Sequence, residues 1–465
     1  MPAHPAGPRH AEVLHEAGAP PVPSDLAALA PGVWSAGLSR DADGSLALRG
    51  TPLAALGRAY GTPALLLDEA DVRARMSAWR EAFAGADVYY AGKAFLCLAM
   101  ARWVAEEGLG LDVCTGGELE LAVRAGFDPA RITMHGNNKS DAELARALEL
   151  EVGRIVVDSS DEIERLAMLT AGSGRRQRVL VRATVGVEAH THEFVATAHE
   201  DQKFGFSVSS GSAEQAVAAV LAVPGLELVG IHSHIGSQIF DTSAFEVSAH
   251  RVLDLLARIR DVHGLALPEV DLGGGLGIAY VAGDDPMTPA QIATRLRSIV
   301  EREAAGHSLP LPRLTVEPGR AVIGPAVLTL YEVGTVKPLD LDGGLRRTYV
   351  SVDGGMSDNV RTALYDADYT CTLANRASDA APTLTRVVGK HCESGDIVVR
   401  DAWLPADVRP GDLLAVAATG AYCRSMASNY NFLPRPPVVS VAADGSHRLL
   451  VRRETTDDLL ATDLG

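Results

Sequence analysis

The feature that most restricts how this chain can fold is a series of short, β-branched apolar runs between residues 86 and 318, separated by stretches of helical length. They are Val88 to Ala91, Leu111 to Val113, Ile132 to His135, Arg154 to Asp158, Val179 to Ala183, Leu228 to Ser233, Val270 to Leu272 and Leu314 to Glu317. Continuous apolarity, as opposed to alternation, marks strands buried on both faces, the condition of a parallel sheet covered by helices. Eight such runs in series predict an α/β fold, a TIM-like (β/α)8 barrel, with a doubly wound open sheet as the competing architecture. The intervening stretches begin as helices do. Ser140-Asp141 precedes AELARALEL and Ser159-Ser160-Asp161 precedes EIERLAML, both N-caps with acidic first turns.

Beyond residue 320 the texture changes to strand-like segments, VLTLYEVGTVK, RRTYVSVDGG and DLLAVAA, with turns rich in glycine, aspartate and proline. Near the start, GVWSAGLSRDADGSLALRG reads as a hairpin, so a second, all-β domain is expected from both chain ends with the barrel inserted in it. The expected layout is a flexible tail over 1–30, the first part of the β domain over 31–62, the barrel over 63–320 and the rest of the β domain over 321–465. The first 27 residues carry prolines and charges where a signal peptide needs an apolar core. No run of about 18 apolar residues occurs, so a cytoplasmic protein without a membrane partner is expected. Five cysteines without paired spacing suit a reducing compartment. The formal charge of −17 argues against nucleic acid and anionic membranes, so an anionic ligand must be held by local groups.

In a barrel the βα loops converge at the C-terminal ends of the strands, and there this sequence places its unusual residues. Lys93 lies in DVYYAGKAFLC, Asp112 in LDVCTGGELE, His135 to Lys139 in HGNNKS, and His232 and His234 in GIHSHIGSQ. Gly273 to Gly275 follow in DLGGGLG and Glu317 to Arg320 in EPGR. Any one of these reads equally well as a turn or a cap; together on one rim they describe a site. Glycines let backbone N–H groups approach a phosphate, but GGG is not the dinucleotide fingerprint, and no acidic residue stands where a ribose needs one. An amine at Lys93, a phosphate cradle and a carboxylate at Glu317 match the needs of pyridoxal 5'-phosphate: an amine to bond, an anion site and a partner for the pyridine nitrogen. His190, His192 and His199 suggest a metal by their HxH spacing, but their polar, loop-like setting lacks a third ligand at helical spacing, and no metal is expected.

The motifs YYAGKAFLC, LDVCTGGELE, HGNNKS, HSHIGSQ, DLGGGLGI, EPGR, VDGGMSDNVRTALY, CESGD and GAYCRSMASNYN, in this order from about Val33 to Pro437, resemble those of the diaminopimelate decarboxylases. These are pyridoxal-phosphate enzymes of the alanine-racemase-like fold. The resemblance implies that Lys93 is the Schiff-base lysine, that His234 stacks on the cofactor ring, and that Ser237, Gly274 and Gly275 hold its phosphate. It implies Glu317 at the pyridine nitrogen, with Gly319 and Arg320 of the same motif among the cofactor contacts. Arg320, Arg361 and Tyr365 would grip the substrate's distal carboxylate and Glu393 its distal ammonium. Cys392 would donate a proton from the second subunit of a homodimer with shared active sites, and Tyr422 would contact both phosphate and substrate. Phe95 stands where many relatives carry asparagine, and GAYCRS replaces the commoner GAYGYS; neither change touches a position with an implied chemical role.

The implied reaction is removal of the carboxylate at the D centre of meso-diaminopimelate to give L-lysine, the last step of lysine biosynthesis. A buried unpaired charge costs several kcal/mol, so a substrate with a distal carboxylate demands a cation there, which Arg320 and Arg361 offer. The competing readings are a decarboxylase of the same fold acting on ornithine, arginine, carboxynorspermidine or a carrier-bound glutamate, and a non-catalytic pyridoxal-phosphate carrier. Arg361 and Tyr365, four apart, also read as a surface pair on a helix, and Cys392 as a buried small hydrophobe.

Overall fold

The structure, a computed structural model, describes residues 21–186, 203–341 and 346–465. The histidines His190, His192 and His199 lie outside the described residues. Two compact units emerge. One comprises Arg73–Gly277 with Asp285–Val322, and the other the chain up to Val72, the segment Ile278–Asp284 and Ile323–Gly465.

The first unit is the barrel. Its strands are β1 (Asp87–Ala91), β2 (Gly110–Val113), β3 (Ile132–Met134), β4 (Arg154–Val157), β5 (Gln177–Thr184), β6 (Leu226–His232), β7 (Glu269–Asp271) and β8 (Arg313–Val316). Each pairs in parallel with its successor, and β8 pairs with β1 through Thr315↔Asp87 and Val316↔Val88. That closure rules out the open sheet. Every run expected from the apolar pattern overlaps one of these strands, because a barrel strand is covered on both faces and has no polar side to show. The expected helix starts are also present. Ser140 and Glu143 form a reciprocal capping box on Asp141–Glu149, and Ser159 accepts from the Glu162 N–H at the head of Ser160–Thr170.

A charged plug fills the N-terminal end of the barrel. Arg154, the first residue of β4, meets Glu269, the first of β7, side-on, with Nε–Oε2 at 2.6 Å and Nη2–Oε1 at 2.8 Å. Arg154 Nη1 also donates to the Tyr89 hydroxyl at 2.6 Å, and Arg178 reaches Glu269 Oε1 at 2.5 Å. Lys139, from HGNNKS, is likewise structural: its buried ammonium donates to Gly136 O, Val156 O and Glu162 Oε1 at 2.7–2.8 Å.

The second unit is mostly β. Its main sheet runs Ile397–Pro405, Pro382–Val388, Arg346–Val352, Val327–Asp340, Ala64–Asp68, Val438–Val441, His447–Val451, with Leu413–Val416 and Cys371–Leu373 off that path. The N-terminal hairpin is present as Leu38–Arg40 against Leu46–Leu48. One boundary differs from the sequence expectation. Ala64–Asp68, placed on the barrel side of residue 62, pairs antiparallel with Val327–Asp340 and parallel with Val438–Val441. Its five residues are all buried, so its sequence looks like a barrel strand although its hydrogen bonds belong to the β unit. After the last strand the chain adds a short capped helix, Thr456–Leu460, with no buried residue. None of the cysteines forms a disulfide, and no helix among the described residues is long and apolar enough to cross a membrane.

Removing one partner of a buried ion pair strands the other charge, which costs roughly 3–5 kcal/mol. Glu269→Ala strands Arg154 and half-exposed Arg178, so a loss of about 3 kcal/mol in barrel stability is expected. Chemical denaturation followed by circular dichroism measures it, and an unshifted midpoint would show that the plug contributes nothing net.

Candidate active site

Lys93 sits half-buried in the single 3-10 turn Gly92–Ala94 that leaves β1. The turn is pressed against β2, since a Cβ on Gly92 would lie 2.8 Å from Asp112 O. It is also tied back by the Tyr90 hydroxyl, which donates to Phe95 O at 2.7 Å. The Lys93 cation acts electrostatically on Asp112, Cys114, Glu118 and His234, so the first rim residues do form one cluster.

At the centre of the rim is Glu317, just past β8. His135 Nε2 stands 2.7 Å from its Oε1, and His232 Nε2 stands 3.5 Å from its Oε2. Burial opposes ionisation of Glu317, yet the two imidazoles outweigh it and hold the carboxyl well below the usual range. The neighbours respond in the opposite sense. Burial, with the Glu317 charge adding to it, pushes Asp112 up, and the same pair of causes pushes Asp271 well up. Burial drives His232 down to about 4, and burial with the Lys93 and Arg182 cations holds His234 well below its ordinary value. Glu317 therefore carries the negative charge, with the His232 and His234 rings neutral beside it.

The glycine-rich loop after β7 owes its shape to close backbone approach. Gly273 and Gly275 have φ of 69° and 97°, in the left-handed region. A Cβ on Gly274 would fall 2.2 Å from Glu317 O, and one on Gly275 would fall 2.1 Å from Gly236 O. Reciprocal backbone bonds, Ile239 N to Gly275 O and Gly277 N to Ile239 O, each 2.9 Å, join this loop to the one after β6. The Gly274 N–H donates to His234 Nδ1 at 3.2 Å, which leaves the ring proton on Nε2. Arg320, opening the short helix Arg320–Ile323, donates from Nη2 to Ser237 Oγ at 2.8 Å, and Gly319 packs directly on Ala91.

In the β unit, Arg361 starts the short helix Arg361–Tyr365 and is only 5% exposed, so it is no surface pair with the half-buried Tyr365. Its Nη1 donates to the hydroxyls of Tyr280 and Tyr369, and among the described residues none of its partners is a carboxylate. Cys392 and Glu393 are exposed, Cys392 with its N–H donating to Asn431 Oδ1 at 3.2 Å. Next to it His391 is pinned between Ser357 Oγ and Asn431 Oδ1. Tyr422 is half-buried with φ of 62°, a strained conformation for a tyrosine.

Sequence reasoning missed Arg182, Tyr280 and Tyr369. Arg182 is buried on β5, with Asp158 at 3.8 Å and its guanidinium carbon 4.4 Å from the centre of the Phe204 ring. A lone arginine in the apolar VLVRATV was the available signal. The two tyrosines offered none, because what marks them is a contact across 81 residues in one case and a hydroxyl that returns to the arginine eight positions earlier in the other.

The barrel rim fits pyridoxal phosphate. Among the described residues, buried Asp112 Oδ2 and His232 Nδ1 lack a hydrogen-bond partner, which leaves polar capacity for a ligand. An ionised Glu317 suits a protonated ring nitrogen, and glycine loops held open by backbone packing suit a phosphate. Because a methyl on Gly275 cannot be placed beside Gly236 O, Gly275→Ala is expected to abolish cofactor loading. Absorbance of the purified variant checks this, and wild-type loading would remove the cradle assignment.

The family described as pyridoxal-dependent decarboxylase, pyridoxal binding domain, matches residues 69–324. The diaminopimelate decarboxylase of Mycobacterium tuberculosis (strain ATCC 25618 / H37Rv) is 58% identical over 449 residues, covering 95% of this chain and 100% of that protein. That of Bacillus subtilis (strain 168) is 44% identical over 425 residues, covering 90% and 95%. Among solved structures, the diaminopimelate decarboxylase of M. jannaschii in complex with L-lysine superimposes with a TM-score of 0.85 at 30% identity, over 93% of this chain and 98% of that one. Motif order, barrel rim and full-length similarity agree, and the chain belongs to the diaminopimelate decarboxylase family of pyridoxal-dependent decarboxylases.

Proposed function

We infer that this chain is a pyridoxal-phosphate-dependent carboxy-lyase that converts meso-2,6-diaminopimelate to L-lysine and CO₂, the last step of lysine biosynthesis. The observation that carries the substrate is Arg361, a buried guanidinium surrounded by phenols and lacking a carboxylate partner among the described residues. An unpaired buried cation is costly, and a ligand carboxylate relieves that cost. Ornithine and arginine carry a cation at their distal end and would aggravate it.

Lys93 supplies the amine that bonds the cofactor, His234 a flat neutral ring beside it, and Ser237, Gly274 and Gly275 the phosphate cradle, with Gly319, Arg320 and Tyr422 as further contacts. Bound pyridoxal phosphate supplies the electron sink for the bond that breaks. Glu317, held ionised by its two imidazole neighbours, keeps a proton on the ring nitrogen. Arg320, Arg361 and Tyr365 hold the distal carboxylate and Glu393 the distal ammonium, which fixes the orientation of the centre that loses CO₂. The Cys392 thiol then delivers a proton to the carbon that CO₂ has left.

A homodimer in the cytoplasm, with Cys392 serving the partner's site, completes the proposal. Its support is the exposure of Cys392 and, joined to it through Asn431, of Tyr430 and Phe432, which are 40% and 55% exposed. Exposed aromatics side by side are characteristic of a protein interface.

CO₂ release from meso-diaminopimelate, L-ornithine and L-arginine, offered separately to cofactor-loaded protein, tests the substrate. Release from the first alone, with L-lysine as product, is expected; release from ornithine or arginine would overturn it. Lys93→Ala and Cys392→Ala are each expected to be inactive, and mixed dimers of the two to regain part of the activity. Verified mixed dimers without activity would rule out shared sites.

A further inference from the structure

The contacts of Arg361 carry a further step, which rests on its proposed role toward the distal carboxylate. We propose that Tyr280 and Tyr369 are positioning residues for substrate selection: their hydroxyls occupy Arg361 Nη1 and leave the Nε/Nη2 edge of the guanidinium as the receptor for the carboxylate. Arg361 Nη1 donates to Tyr280 at 2.9 Å and to Tyr369 at 2.6 Å. A guanidinium terminal nitrogen has two hydrogens, so Nη1 is fully used. The guanidinium carbon also lies 4.9 Å from the Tyr280 ring centre and 5.7 Å from that of Tyr369, with the two rings edge to face at 5.2 Å. Arg361 is thus fixed in direction as well as in place.

Among the described residues, the opposite edge carries no hydrogen bond. Arg361 Nε is buried and has no hydrogen-bond partner among the described residues. Nε and Nη2 form the fork that grips a carboxylate with two parallel bonds. Arg154 grips Glu269 through that same pair of nitrogens. The choice of phenols matters as well. Burial drives the Tyr369 hydroxyl well above its ordinary value despite the adjacent guanidinium, so it stays neutral. Neutral hydroxyls hold the guanidinium without cancelling its charge, whereas a carboxylate in their place would satisfy it and compete with the substrate.

Both tyrosines are themselves anchored. Thr370 Oγ1 donates to Tyr280 O at 2.8 Å. The Tyr369 hydroxyl meets Cys423 Sγ at 3.6 Å, and that sulfur lies 3.5 Å from Asn359 Oδ1, which accepts the Arg361 N–H at 3.3 Å. The chain of contacts closes on the backbone of the residue it positions. Cys423 is the residue of GAYCRS that replaces the commoner glycine, so this closure belongs to the departure from the usual motif.

The test compares cofactor-loaded wild type with Tyr280→Phe and Tyr369→Phe, which keep the rings and lose the hydroxyls. The measurements are kcat and KM for meso-diaminopimelate, with inhibition by L-lysine, which retains the distal carboxylate, and by cadaverine, which lacks it. Each variant should raise KM and weaken lysine inhibition by roughly tenfold, the effect of losing a hydrogen bond to a charged group, while kcat stays within about twofold and cadaverine inhibition is unchanged. Unaltered KM and lysine inhibition, or an equal loss for lysine and cadaverine, would overturn the positioning role. Should a tyrosine variant fail to load cofactor, Cys423→Gly loosens Tyr369 without touching its ring and should give the same split at smaller size; no split would again overturn the role. A wild type that releases no CO₂ from meso-diaminopimelate defeats the functional reading and the inference with it, whereas an active wild type matched by its variants defeats the inference only.

Discussion

The seam between β1 and β8 is the contact on which the barrel site depends. Two residue pairs close the sheet there, and the Ala91 N–H continues the ladder to Pro318 O at 3.3 Å. Residues that leave these two strands, Lys93 and Glu317, are more than two hundred positions apart in the chain, yet the seam makes their loops neighbours. Gly319 has no side chain because Ala91 occupies that space, with a Cβ there only 2.9 Å away. An amine and a carboxylate are thus brought to one rim by one stretch of backbone pairing.

Around this seam the electrostatics are arranged by difference. Glu317 is kept charged by two imidazoles, while Asp112 and Asp271, equally buried, are pushed toward neutrality, partly by Glu317 itself. Several acidic groups crowd a water-poor rim, and mutual repulsion selects which of them ionises. The charged plug at the other end of the barrel follows a different rule, since Arg154 and Glu269 are matched atom to atom and leave no capacity for a ligand. Saturated pairs occupy the face that holds the barrel together, and unsaturated polar groups occupy the opposite rim.

Much of this was legible in the residues. The barrel strands betray themselves because burial on both faces erases alternation, and the helix starts because Ser140 and Ser159 have the shape of caps. Ala64–Asp68 misled for the same physical reason: a strand buried on both faces reads alike whichever sheet claims it, and only its pairing with Val327–Asp340 decides. The roles of Lys93, His234 and Cys392 came from resemblance to a family, not from periodicity. Arg182, Tyr280 and Tyr369 were out of reach because their importance lies in what stands opposite them, and a partner's direction leaves no periodic trace in a linear chain.

The contact of Gly275 with Gly236 O has an evolutionary consequence. A cradle made of backbone atoms in van der Waals contact has no side chain to vary, so drift in the loops after β6 and β7 can only damage it. Arg361 lies at the other extreme, on a five-residue helix whose partners are ordinary side chains, each replaceable by one base change or a few. On the roles proposed for these residues, a lineage descended from such an enzyme would keep its reaction and exchange its substrate, with innovation confined to the β unit and the barrel rim inherited intact.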